Sequence, residues 1–96
     1  MKIWILDEAK QDLINGFLFY EKQAKGLGSY FLDTLYSDID SLQIYAGIHS
    51  LHFNYYRMLS RRFPYAIYYQ REGEAVRVIA ILDCRREPLK TKNKLT

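Results

Sequence analysis

The spacing of apolar residues changes once along this chain, past Gly47, from a helical period to strict alternation, and that switch limits the folds open to it. Ahead of it, Ala9, Leu13, Phe17, Tyr20 and Ala24 recur at helical spacing over residues 8–24, with Lys10, Asp12, Glu21 and Lys22 among the polar positions between them. Gly26 and Gly28 break that helix. Ser29 is placed to cap a second one, in which Phe31, Leu32, Leu35, Ile39 and Leu42 share a face opposite Asp33, Ser37 and Asp40. Gly16 inside the first helix is read as serving close helix packing. At the N-terminus, KIWIL is β-prone and ends at Asp7, a good N-cap residue. After Gly47, residues 55–59, 65–70 and 75–82 read as successive strands. The turn around Gly73 joins the last two as a hairpin, and Pro64 stands where a strand tolerates proline, at its start.

The order is therefore β-α-α-β-β-β. Helices grouped before a run of strands imply an α+β fold, a helical hairpin packed on one face of a mainly antiparallel four-stranded sheet. The positions both periods turn inward are Leu13, Phe17, Phe31, Leu35, Ile39, Ile67, Tyr69, Val78 and Ala80, which form the expected core. Ninety-six residues suffice for one such core, and two would be too small. The domain is expected to span residues 1–88. Beyond it LKTKNKLT, residues 89–96, is polar, basic and without periodicity, and reads as a flexible tail.

Composition narrows the function classes. A single cysteine, Cys84, excludes an internal disulfide and points to a reducing compartment such as the cytoplasm. No Cys/His spacing resembles a zinc site, so neither metal nor cofactor is expected. The apolar run before Asp7 is too short for a signal peptide and no run of spanning length follows, so no membrane role is expected. Charge is divided unevenly: residues 1–56 hold four Lys against seven Asp/Glu, net −3, whereas residues 57–96 hold ten Lys/Arg against four acids, net +6. The second half has the footprint of something that meets phosphate or an acidic protein.

Within it, RRFPYAIYYQ sets two arginines beside a tyrosine-rich strand. Alternation puts Tyr65, Ile67 and Tyr69 on the core face and Ala66, Tyr68 and Gln70 on the other, where Tyr68 is free to stack on a base or a partner segment. Arg57, Arg61 and Arg62, with Arg85 and Arg86 at the end of the last strand, are the candidate target-binding groups, because a planar guanidinium suits phosphate or carboxylate. His49 and His52 fall before the second strand and read as ordinary loop residues.

The element order, with the segments DLINGFLFYEKQAKGLGSYF, YRMLSRRFPYAIYY and VIAILDCRREP, resembles the RelE/ParE superfamily of bacterial type II toxins over residues 2–88. The resemblance implies a small toxin neutralised by a cognate antitoxin. It admits two modes of growth inhibition: a ParE-type binder of DNA gyrase, or a RelE-type endonuclease acting on ribosome-bound mRNA. In the second, Arg57, Arg61 and Arg85 are the catalytic candidates around the scissile phosphate. Two departures weigh toward the first. No tyrosine or histidine follows the last strand to serve as acid or base, where Glu87 and Pro88 stand instead, and Ala66 occupies a usually basic position early in the third strand. An inactive relative that only binds antitoxin is the third reading.

Overall fold

Strand β1 (Lys2–Ile5) leads directly into helix α1 (Asp7–Gln23), and the chain folds back as α2 (Leu27–Asp40) with a short α3 (Leu42–Tyr45). Strands β2 (Leu51–His52), β3 (Tyr55–Leu59), β4 (Tyr65–Glu72) and β5 (Ala75–Asp83) follow, then helix α4 (Pro88–Leu95). The structure is a computed structural model and describes residues 1–85 and 88–96. The strands form one sheet in the order β1-β5-β4-β3-β2, parallel between β1 and β5 and antiparallel elsewhere. This is the expected α+β arrangement, with the α1–α2 hairpin on one face. It has five strands rather than four, because the segment before β3, read as a loop, pairs briefly with it as β2.

Both helix starts differ from the sequence expectation. Asp7 is the first residue of α1 rather than its cap; with Glu8 it sets negative charge against the positive end of the helix dipole. Gly26, not Ser29, stands at the N-cap of α2, with φ 88°, a left-handed backbone that glycine adopts without steric cost. The cap is supplied from α1: the Glu21 carboxylate accepts the N–H groups of Gly26 at 3.0 and 3.1 Å and of Gly28 at 2.9 Å. Gly16 does serve close packing. A Cβ there would lie 2.4 Å from Cζ of Phe31, so the bare backbone is what lets α2 approach α1.

The main core lies between hairpin and sheet. Leu13, Phe31, Leu35 and Ile39 from the helices meet Ile67, Tyr69 and Val78 from the sheet, all buried as expected. Phe17 is only half-buried; its ring lies beside Gly28 where the two helices meet, not in the core between hairpin and sheet. Ala80 faces the opposite way from its expected position. Tyr68 is paired with Ala80 but Tyr69 with Val78, so Ile79 is a bulge residue, and one extra residue exchanges the faces beyond it. Ile81 therefore enters the core in place of Ala80.

Ala80 joins a second cluster on the outer face, with Ala66, Tyr68, Leu82 and Leu95. Leu95 belongs to α4. The segment read as a flexible tail is helical and lies over the outer face, with Lys94 Nζ 3.8 Å from Asp12 Oδ1. One apolar contact makes no period, so nothing in LKTKNKLT signals this helix; the waiting apolar sheet face holds it.

Candidate functional site

Strand β3 alternates Tyr56 and Met58 toward the helices with Tyr55, Arg57 and Leu59 toward the outer face. Arg57 therefore stands over the sheet, where its Nε donates to the Tyr68 hydroxyl at 3.2 Å and its Nη2 to Cys84 Sγ at 3.7 Å. Neither partner is a carboxylate. These groups line a cavity of about 260 Å³ with His52, Phe53, Leu82 and Asp83, and with Pro88 and Thr91 from the first turn of α4. Tyr68 is only 4% exposed. It forms the floor, with its hydroxyl engaged by Arg57, and so is not the free stacking platform expected from its place on the strand.

The turn between β2 and β3 delivers His52 and Phe53 to this cavity. Its two central residues, Phe53 and Asn54, have φ of 55° and 70°, as in the tight hairpin turn with positive φ at both positions. Asparagine tolerates that backbone and phenylalanine does not, so Phe53 is held under local strain at the cavity wall. His52 pairs with Tyr55 across the two strands. Sequence reasoning set His52 aside as a loop residue. The signal that would have recovered it is the two-residue spacing between His52 and Tyr55, which a hairpin needs, but Phe-Asn is not a turn signature.

The arginines do not converge. Arg61 turns to α2: its Nε donates to Asp38 Oδ1 at 2.9 Å and its Nη2 to Ser37 Oγ at 3.1 Å. Arg62 also reaches α2, donating to the Tyr30 hydroxyl at 2.8 Å. Arg85 is held in a fork by Asp83, at 2.9 Å from Nε and 2.7 Å from Nη2, with its guanidinium 5.8 Å from the centre of the Phe19 ring on α1. Hydrogen bonding to that carboxylate raises the Arg85 pKa further, so its charge is permanent. Among the described candidates, Arg61, Arg62 and Arg85 thus lie along the hairpin side and Arg57 over the outer face. Arg86 and Glu87 lie outside the described residues.

Chemically, the outer cavity joins a guanidinium paired with no carboxylate among the described residues to an imidazole, a phenol and a thiol. Asp83, the acidic wall among the described lining residues, is engaged by Arg85. An anion is the ligand this balance favours, because the Arg57 guanidinium meets no carboxylate among the described residues. Among the described residues, no group of three or more His, Cys, Asp or Glu could hold a metal ion.

The chain matches no protein-family model and no curated protein. Among solved structures it is similar to a chain of the "Chromosomal ParDE TA system from P. aeruginosa", with a TM-score of 0.75 over 84% of this chain and 92% of that one, at 15% sequence identity, so that the likeness is one of fold.

Proposed function

We propose that this chain is the toxin of a type II toxin–antitoxin pair, held by a cognate antitoxin and inhibiting growth, as ParE-type toxins do, by binding DNA gyrase. The fold likeness supports the toxin reading, and the dispersal of the arginines supports a binder over a nuclease. A nuclease of the RelE type gathers its guanidinium groups on one phosphate, where they stabilise charge as it develops. Here Arg61, Arg62 and Arg85 are turned to Asp38, Tyr30 and Asp83 on the helix side. Their heads remain in reach of a partner, with the Arg61 and Arg85 side chains 67% and 55% exposed. They form a basic rim suited to steering and recognition of an acidic surface. The antitoxin is expected to cover this basic half with an acidic or amphipathic segment.

One observation favours the second reading, a ribosome-dependent mRNA endonuclease: Arg57 and His52 share a cavity. A guanidinium for phosphoryl charge and an imidazole for the proton are the minimal pair for such a cleavage. Inducible expression without antitoxin separates the readings. Loss of plasmid supercoiling with intact message supports gyrase; cleaved message by primer extension with normal supercoiling supports the nuclease. Unimpaired growth on expression overturns both and leaves an antitoxin-binding relative.

A further inference from the structure

Among the described residues, α4 covers the outer face of the sheet where Leu95 meets Ala66, Tyr68, Ala80 and Leu82. Beyond that cluster a row of residues crosses the same face in register. Trp4 on β1 stands opposite Arg77 on β5, Arg77 opposite Gln70 on β4, and Tyr55 on β3 opposite His52 on β2. The β3–β4 ladder, in which Tyr56 faces Tyr69, brings Tyr55 beside Gln70. The strand neighbours Ile3, Val76, Tyr69 and Tyr56 turn to the main core, which sets the row on the outer face.

Trp4 is 54% exposed, although tryptophan is highly buried on average. The Lys2 ammonium lies 5.4 Å from the centre of its ring, and Arg77 stands on the next strand. No acid belongs to the row. Glu72 reaches Arg77 Nη1 at 3.5 Å from the end of β4, but both side chains are exposed, and such a pair is readily exchanged for another anion. On the covered part of the face, α4 carries Lys90, Lys92 and Lys94 and no acid.

We propose that this row is a binding site for single-stranded nucleic acid, with a base stacked on the Trp4 ring and Lys2 and Arg77 on the flanking phosphates. Chemistry selects this occupant over an acidic protein segment. Carboxylates would gain only the charge, whereas a flat indole held open between two cations matches the alternation of base and phosphate along a single strand. A duplex keeps its base faces stacked and meets only the cations. Neighbouring strands lie about 4.8 Å apart, so Trp4 and Tyr55, three spacings apart, are separated by about 14 Å, room for more than one nucleotide. The row ends at His52, on the wall of the outer cavity. Binding here is non-covalent and requires neither of the two modes of growth inhibition.

Trp4 is the one tryptophan of the chain, so tryptophan fluorescence reports this site directly. Titrating the full chain with short oligouridylate RNA or oligothymidylate DNA should quench that emission saturably. Quenching by either supports the site, and the tighter of the two names its sugar. By the anisotropy of a labelled probe, Trp4→Ala should weaken binding about tenfold or more, and Trp4→Phe, which keeps a ring, by less. Arg77→Gln should weaken it and lower its salt slope by about 0.7. Thermal melts of these variants should match the parent, since both positions are exposed. If Trp4→Ala melts early, Trp4→Phe and Arg77→Gln decide. No quenching by either oligonucleotide overturns the proposal, as does affinity unchanged in both Trp4→Ala and Arg77→Gln. A duplex that binds as tightly also overturns it, and polyglutamate that quenches Trp4 as strongly gives the row to an acidic protein instead. All of this is read on the purified chain, so failure here leaves the outcome of the expression experiment untouched.

Discussion

Asp38 is 2% exposed, yet it lies on α2 beneath the turn that carries two of the candidate arginines. Its carboxylate accepts from Ser60 Oγ at 2.6 Å and from Arg61 Nε at 2.9 Å, tying the β3–β4 turn to the hairpin. Asp38→Ala should cost about 2 kcal/mol, the range for hydrogen bonds to a charged group, since Ser60 then loses its acceptor while the exposed Arg61 returns to water. A denaturant titration measures it. His49 carries a second tether. The Tyr69 hydroxyl accepts the Gly47 N–H at 2.9 Å and shares a short hydrogen bond with Nδ1 of His49. Burial lowers the His49 pKa from 6.5, and burial likewise raises that of Tyr69. Below about pH 6.5 the unfolded chain then binds protons at His49 that the folded chain refuses. Stability should therefore be full above that pH and fall as pH is lowered through it. In His49→Gln, thermal melts across this range should show a flatter dependence.

At the scale of elements, packing overrides propensity in the helical hairpin. Alanine is the better helix former by about 1 kcal/mol, so an isolated α1 would gain from Gly16→Ala. In the folded chain the new methyl meets the Phe31 ring at 2.4 Å. That ring is fully buried and packed against Tyr20, Phe63 and Tyr65, with centroids 5.0 to 5.2 Å away, so it cannot turn aside. Overpacking of this kind costs about 1 to 3 kcal/mol, and the variant should melt below the parent. The β2–β3 hairpin likewise carries a local cost. Its turn holds an unfavourable residue, Phe53, whose side chain is a wall of the outer cavity.

For the molecule as a whole, the two faces of the sheet hold different things. The hairpin covers one face and carries the main core; the other holds Arg57 under the edge of α4. If the outer cavity takes part in the proposed activity, Arg57→Ala should abolish growth arrest with a stability loss of about 1 kcal/mol or less, that of one hydrogen bond to Tyr68. Arg57→Lys separates the proposed modes. A nuclease should be severely impaired, because an ammonium cannot form the planar fork on phosphate, whereas a gyrase binder that relies on general positive charge should retain much of its activity. Growth arrest in an inducible strain, read beside thermal melts, checks both. Arg57→Ala with undiminished arrest would leave the proposed target surface to the rim of Arg61, Arg62 and Arg85 alone.

The sequence alone determined the element order, the hairpin and the inward set Leu13, Phe31, Leu35, Ile39, Ile67, Tyr69 and Val78, because helix and strand periods are local and an apolar face must be buried. Three features were decided only in the folded chain. The bulge at Ile79 exchanged Ala80 for Ile81, since register is set between strands and not within one. Helix α4 formed on a single buried leucine, which has no period to read but has an apolar sheet face to meet. The arginines, adjacent or similarly spaced in sequence, separated because a guanidinium goes to the nearest fixed acceptor, and Asp38, Tyr30 and Asp83 are brought within reach of Arg61, Arg62 and Arg85 by tertiary packing and the turn after β5. Charge type is written in the sequence, but the direction in which a long side chain presents it depends on partners that only the fold assembles.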